Sequence, residues 1–339
     1  MTTLRLGTRG SALAMAQSES TAAALEARHP SLTVEIVEIR TSGDKIQDVP
    51  LGPHLGQAFF TKEIEDALLE GRVDLAVHSC KDLATSLPDG LVLAAVPRRE
   101  DARDALVSGA GGLDTLPAGA RVGTSSMRRK LFLGAARPDL DLVDLRGNVP
   151  TRVASVDEGR YEAVVLAMAG LRRLGLAERI TEALDPDVML PAASQGALAL
   201  QVRASDQVVA ALVSVLNDPA AQAEVTAERA VLARLEAGCQ APVGCLARRV
   251  DGSIHLRAAV AGPGGIMWTQ AAGDARGPED VGVRAAEALL GQLGLTSLRE
   301  AAWAGAPPRR PGDAHKPGGV ERPLRRPEGV LTRNGLPNA

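Results

Sequence analysis

The sequence predicts an α/β fold of two sheet-and-helix domains followed by a small α+β domain. Three observations predict it. Short apolar segments alternate with helical patterns from Leu4 to Ala167, a charged stretch from Pro97 to Asp104 interrupts that alternation like a hinge, and Val243 to Leu293 offers three short strands and one helix. Strands alternating with helices pack as parallel sheets covered by helices, whereas a run of strands closed by a helix forms an α+β unit. At 339 residues the chain exceeds what one small core holds, so two or three domains are expected, with room for a cleft between them.

Leu4 to Thr8 reads as a buried strand, and Ser11 to Arg28 as an alanine-rich helix capped by the Ser11 hydroxyl. Thr33 to Ile39 alternates apolar and polar residues as a strand does, and Thr41 to Ala58, with three glycines and two prolines, reads as a loop. Thr61 to Glu70 is an amphipathic helix stopped by Gly71, and the apolar Asp74 to Ser79 follows as a strand. After the hinge come strand Arg121 to Gly123, a helix from about Ser126, strand Leu142 to Leu145, a helix from Val149 to Asp157 and strand Ala163 to Ala167. Gln195 to Val202 is again strand-like, Asp206 to Leu216 and Ala220 to Glu236 are helical, and Cys239 falls in the loop beyond. The expected domains are 1–97 with 197–215, then 102–192, then 219–303. The Pro-, Gly- and Arg-rich tail 304–339 is expected to be disordered, and no internal sequence repeat is visible.

Composition narrows the function classes. Hydrophobic residues make up 45% and charged residues 23%, ordinary for a globular protein, and a net charge of -3 argues against the broad basic field of a nucleic-acid binder. Any anion site must therefore be local. Five of the 38 basic residues are lysines and the other 33 arginines, a bias so general that only arginine position carries information. Three cysteines without disulfide or zinc spacing, no visible signal peptide and no membrane-length apolar run lead to the expectation of a cytoplasmic protein without metal, membrane or nucleic-acid partners. Phosphate-loop, dinucleotide, H-E-x-x-H and G-x-S-x-G signatures are lacking, so nucleotide, zinc-protease and serine-hydrolase chemistry lose support.

The positions of the cations are more informative. Val122 to Arg129 sets small hydroxyl residues and the Arg128–Arg129 pair at a strand-to-helix turn, where free backbone N–H groups and guanidinium forks suit a carboxylate or phosphate. Capping by Ser125 or Ser126 with solvated arginines is the alternative for this segment. Arg146-Gly147-Asn148 and Arg152, Arg9 with Ser11, and Arg173 recur after other strands, the ends at which open α/β sheets bind ligands. Lys81 and Asp82 end the strand through His78, placing a carboxylate where it could steady a cationic intermediate or relay a proton. His78 is expected to be packed and hydrogen-bonded, and Cys80 and Cys245 to be buried. Cys239, in a Gly- and Pro-bounded loop, is accessible enough to anchor a group, although from spacing alone an unreactive thiol is the better reading.

Together these segments resemble porphobilinogen deaminases: Leu6 to Ala14, Ala76 to Asp82, Val122 to Arg129, Leu145 to Val149 and Gly238 to Pro242, in one common order and covering the chain to about Leu293. The resemblance implies two domains like type II periplasmic binding proteins plus a small C-terminal α+β domain that bears the cysteine. It implies a dipyrromethane cofactor joined to Cys239 by a thioether, with Ser11, Lys81, Asp82, Arg128, Arg129 and Gln195 around it. Asp82 would be the catalytic carboxylate, and Arg9, Ser11, Arg146, Arg152 and Arg173 would bind the substrate, porphobilinogen, in a protein expected to be a monomer. The implied reaction joins four porphobilinogens head to tail with loss of ammonia and releases hydroxymethylbilane for porphyrin and heme biosynthesis. Each pyrrole unit carries two carboxylates, so many cations in one cleft are a physical requirement. One stretch departs from the family: Pro53 and Gln57 stand where relatives have lysines, and Leu55 and Ala58 where they have glycines, which alters a loop that acts as a lid and keeps only Phe60 as an expected packing contact. A two-lobed solute-binding protein and an impaired deaminase paralogue are the rival readings. A ligand-sensing transcription factor would need a DNA-binding module for which the chain leaves no room.

Overall fold

A computed structural model describes residues 2–41, 61–237, 241–262 and 265–300. The expectations for Pro53, Leu55, Gln57, Ala58, Phe60, Cys239 and the tail lie outside the described residues.

The first lobe opens with β1 (Thr2–Thr8), whose Leu4 and Leu6 are buried, followed by α1 (Ala12–Arg28), which Ser11 caps by accepting from Ala14 N. β2 (Leu32–Glu38) pairs parallel to β1. α2 (Lys62–Leu69) is followed by Gly71 in the left-handed region, and β3 (Leu75–Ser79) pairs parallel to the other edge of β1. β4 (Leu91–Ala95), an apolar run for which the sequence pattern raised no expectation, ends this part of the chain. Residues 96–103 then cross to the second lobe, so the expected hinge is a connector up to Asp104, which itself begins β5 (Asp104–Ser108).

The second lobe continues with β6 (Arg121–Gly123), α3 (Met127–Ala136), β7 (Asp141–Val143), α4 (Val149–Asp157), β8 (Ala163–Ala167), the short α5 (Met168–Arg173) and β9 (Glu182–Ala183). Residues 184–197 lead back to β10 (Leu198–Arg203) in the first sheet. Among the described residues the sheet orders are β2-β1-β3-β10-β4 and β7-β6-β8-β5-β9, the same arrangement twice without a visible sequence repeat. The expectation of parallel sheets needs correction, because β10 runs antiparallel to β3 and β4, and β5 antiparallel to β8. Each of these strands enters its sheet from the other lobe and so runs against the strands built by local strand-helix-strand units. The two connectors touch where Glu100 N donates to Gly196 O. Gly196 has φ +89, and a Cβ there would lie 2.3 Å from the Glu100 carbonyl oxygen, so only glycine fits this crossing.

α6 (Gln207–Ser214) covers the first sheet, and α7 (Pro219–Leu235), capped by Asp218, begins the α+β part. There β11 (Val243–Val250), β12 (Ser253–Gly262) and β13 (Gly265–Asp274) form an antiparallel meander, closed by α8 (Pro278–Leu293). Asp251 and Gly252, both at positive φ, make the two-residue β11–β12 turn that matches strand twist. Val231, Leu235, Ala285 and Leu289 of the two helices pack onto Ile254 and Leu256. The opposite face, through Leu246, Ala259 and Ala261, packs onto Phe132 and Leu133 of α3, and Phe132 meets Trp268 edge-on at 5.7 Å. The small domain is thus wedged against the helix that carries Arg128 and Arg129. Ala237 and Ala241, which flank residues 238–240, both belong to the small domain's core, so that core fixes the two ends of the segment containing Cys239. Among the described residues no helix is long and apolar enough to cross a membrane.

Candidate active site

On the first lobe, the ends of β1 and β3 and the start of α1 face one cavity. Arg9, Ser11 and Asp82 line it, together with Gln17, Thr61, His78 and Ser79. Asp82 closes a single 3-10 turn, Cys80–Asp82, that follows β3 and leaves its side chain exposed at the cavity wall. Gln17 Nε2 donates to Ser79 Oγ at 3.0 Å, a pairing from α1 to β3 that the sequence did not signal. Behind the wall, Gln201 donates to the Glu65 carboxylate at 3.0 Å and turns its oxygen toward His78 Nε2 at 2.9 Å. A carboxylate only accepts, so this order assigns the donated proton to His78 Nε2. Burial pushes the His78 imidazolium down to about 4, which keeps the ring neutral and suits the expected packed histidine. Cys80 and Cys245 are buried as expected.

The second lobe supplies a denser arrangement. Asp104, fully buried, accepts from Arg128 Nη1 at 2.8 Å and from Arg129 Nη2 at 2.7 Å, and Gln195 Nε2 donates to it at 3.0 Å. Gln195 Oε1 in turn accepts from Lys81 Nζ at 3.3 Å, linking the strand end beside Asp82 to this cluster. Ser126 caps α3 by accepting from Arg129 N, and Ser125 exchanges hydrogen bonds with the Leu145 backbone, so the capping half of the alternative holds for Ser126. Its other half fails, since Arg128 and Arg129 are 4% and 6% exposed and held by a carboxylate.

Lys81 is pushed down to about 8, first by burial, with Asp82 opposing and Arg129 adding repulsion. Raising the pH through about 8 therefore removes this charge. Affinity for a carboxylate-bearing ligand, read as KM, should weaken above pH 8 by up to about tenfold per unit, while Lys81→Arg, whose guanidinium stays charged, should flatten the profile. A wild-type KM constant from pH 7 to 9 would exclude this role.

Asn148 caps α4 by accepting from Thr151 N, which turns Arg146 and Arg152 toward the same end of the sheet. Arg152 Nε donates to Gly147 O at 2.7 Å. Its guanidinium is pushed down to about 10, first by burial and then by the neighbouring charges of Arg129 and Arg146. Arg173 stands apart. It ends α5 rather than following a strand directly, donates to Gly196 O at 2.6 Å, and faces Glu100.

Asp82, Lys81, Gln195, Asp104, Arg128, Arg129, Arg152 and Arg146 thus form one continuous run across both lobes, with Arg9 and Ser11 on the adjoining cavity wall. Asp104 was absent from the sequence expectations because it falls in the hinge stretch. The available signal was an aspartate at the head of the apolar run Ala105 to Val107, where an acid survives only if paired. The donor set fits a ligand with several carboxylates: Lys81, Arg128 and Arg129 gather about Asp104 and Asp82, and the mutual repulsion of Arg129, Arg146 and Arg152 would be relieved by added anions. Those properties match the acetate- and propionate-bearing rings of a dipyrromethane.

The family described as "Porphobilinogen deaminase, dipyromethane cofactor binding domain" matches residues 4–211, and "Porphobilinogen deaminase, C-terminal domain" matches residues 222–291. The porphobilinogen deaminase of Roseiflexus castenholzii is 50% identical over 297 residues, covering 87% of this chain and 98% of that protein. The porphobilinogen deaminase of Syntrophobacter fumaroxidans is 49% identical over 259 residues, covering 76% of this chain and 84% of that protein. Among solved structures, a substrate-binding domain of a molybdenum ABC transporter from Clostridium difficile is 11% identical with a TM-score of 0.42, covering 64% of this chain and 93% of that one.

Proposed function

The chain belongs to the porphobilinogen deaminase family, and from that premise we propose that it joins four porphobilinogens head to tail, releasing one ammonia for each, and that water then cleaves the linear tetrapyrrole from its anchor as hydroxymethylbilane. The observation that carries this reading is the run from Asp82 through Lys81, Gln195 and Asp104 to Arg128, Arg129 and Arg152, which sets an exposed carboxylate in line with several cations contributed by both lobes. The family membership is that of an enzyme, which favours this reading over a solute-binding protein.

Dipyrromethane, when bound through Cys239, supplies the anchored end to which the first substrate is joined. Arg128, Arg129, Gln195 and Lys81, with Ser11, would hold its acidic substituents, and Arg9, Arg146, Arg152 and Arg173 those of the substrate and growing chain. Guanidinium forks bind carboxylates through paired, charge-assisted hydrogen bonds, which fix ring orientation as well as affinity. Asp82 faces the cavity as an exposed carboxylate. There it steadies the positive charge that develops as ammonia departs, and it accepts a hydrogen bond from a pyrrole N–H. A preorganised partner of that kind is worth about 10²–10³ in rate. The protein is proposed to work in the cytoplasm as a monomer.

Intact-protein mass spectrometry tests the proposal. Protein from a heme-making host should exceed its sequence mass by one dipyrromethane, and Cys239→Ser should have the bare sequence mass. A bare mass in the wild type, or an adduct that survives Cys239→Ser, would overturn the assignment.

A further inference from the structure

Asp104 lies at a convergence that the reaction itself does not explain. Three residues expected around the cofactor, Arg128, Arg129 and Gln195, all donate to this one carboxylate, which has no exposed surface. Each donor is also tied to a backbone carbonyl: Arg128 to Leu190 O, Arg129 to Val165 O and Gln195 to Ala102 O. Every one of the three side chains is therefore held at two points, one of them shared. The carboxylate is fixed in turn because Asp104 heads β5 and pairs with Ala167 of β8.

The charges explain why an acid stands there. Two adjacent buried guanidinium groups repel and lose hydration, a burden that one carboxylate halves while leaving the pair with a net positive charge. Both oxygens are occupied, and the Arg128 and Arg129 side chains push the Asp104 carboxyl well below its usual range against the opposing effect of burial. Lys81 reaches the same cluster through Gln195. A neutral residue at this position would release the two forks from a common axis. A second acid would cancel the charge that a ligand carboxylate must meet.

Resting on the deaminase reading above, we propose that Asp104 is a positioning residue, an internal counter-ion that aims Arg128, Arg129 and Gln195 at the acidic substituents in the cleft without touching substrate.

The test compares full-length wild type with Asp104→Asn and Asp104→Glu, using cofactor occupancy by intact mass, KM and kcat for porphobilinogen, and melting temperature. Asp104→Asn directs an amide donor at one guanidinium, so occupancy should drop and KM of the loaded fraction should rise at least about tenfold, the scale of one misaligned charged contact. Asp104→Glu keeps the charge but displaces it by one methylene. Occupancy should recover while part of the KM rise persists. Normal occupancy and normal KM with only a lowered melting temperature, in either variant, would make Asp104 merely structural and overturn the proposal. If Asp104→Asn does not fold, Asp104→Glu decides alone, and failure of both to fold also counts against a positioning role. A wild type without adduct or turnover would instead overturn the deaminase reading, which keeps the two failures apart.

Discussion

Asp82→Asn should lower the rate of ammonia release from porphobilinogen by about 10²–10³ while leaving the melting temperature nearly unchanged. The asymmetry follows from the location of the side chain. Asp82 is exposed at the wall of the first-lobe cavity, so folding gains little from its charge. The reaction gains much, because loss of ammonia leaves an electron-poor azafulvene and no other carboxylate lines that cavity among the described residues. Lys81 next to it is cationic and would oppose the same developing charge, which makes the carboxylate's contribution larger. The rate should be measured on chains whose mass confirms a bound dipyrromethane, so that failed cofactor assembly is not mistaken for failed catalysis. A decrease smaller than about threefold in loaded chains would remove Asp82 from the catalytic role.

The site was legible in the sequence wherever a residue stands at the end of an element whose period is strong. Ser11, Ser126 and Asn148 each precede a helix and each caps it, so the residues beside them, Arg9, Arg128, Arg129, Arg146 and Arg152, could be placed at strand-to-helix turns. What periodicity could not convey was distance between lobes. Lys81 and Gln195 are separated by 114 positions, yet they share a hydrogen bond because β10 returns beside β3 after the second lobe is complete. The same return made the sheets mixed rather than parallel, since strand direction across a double crossing leaves no mark on local pattern. Asp104 and Arg99 were hidden for a related reason: in a charged, Pro-containing stretch, acids and arginines read as solvated. Arg99 is nevertheless 5% exposed at its side chain, with partners supplied by α7.

Those partners carry the largest expected effect on stability. Glu228 on α7 is fully buried and accepts from Arg99 Nη1 at 2.8 Å, Arg99 Nη2 at 2.9 Å and Ala247 N at 2.7 Å, and it also takes the Ser194 backbone N–H. One carboxylate thereby joins the first connector between the lobes, the second connector and the first strand of the small domain. Glu228→Ala should destabilise the protein by about 3–5 kcal/mol, because it strips a buried guanidinium of its paired carboxylate, leaving only Glu224 and the Gln195 carbonyl to it, and leaves two buried backbone donors without that acceptor. Glu224→Ala, which leaves Arg99 its paired contact with Glu228, should cost about 1 kcal/mol. Urea unfolding at constant m-value reads both. Removing the whole pair in Arg99→Leu with Glu228→Leu should cost less than the sum of the single substitutions, since neither member of the pair is then stranded and Glu224 keeps Arg248. Additive losses, or a Glu228→Ala cost below about 1 kcal/mol, would mean that hydrophobic packing alone holds the connectors. The same substitution bears on function, because α7 leads directly to the segment containing Cys239 and Ser194 adjoins Gln195. Loosening Glu228 should therefore reduce cofactor occupancy along with stability.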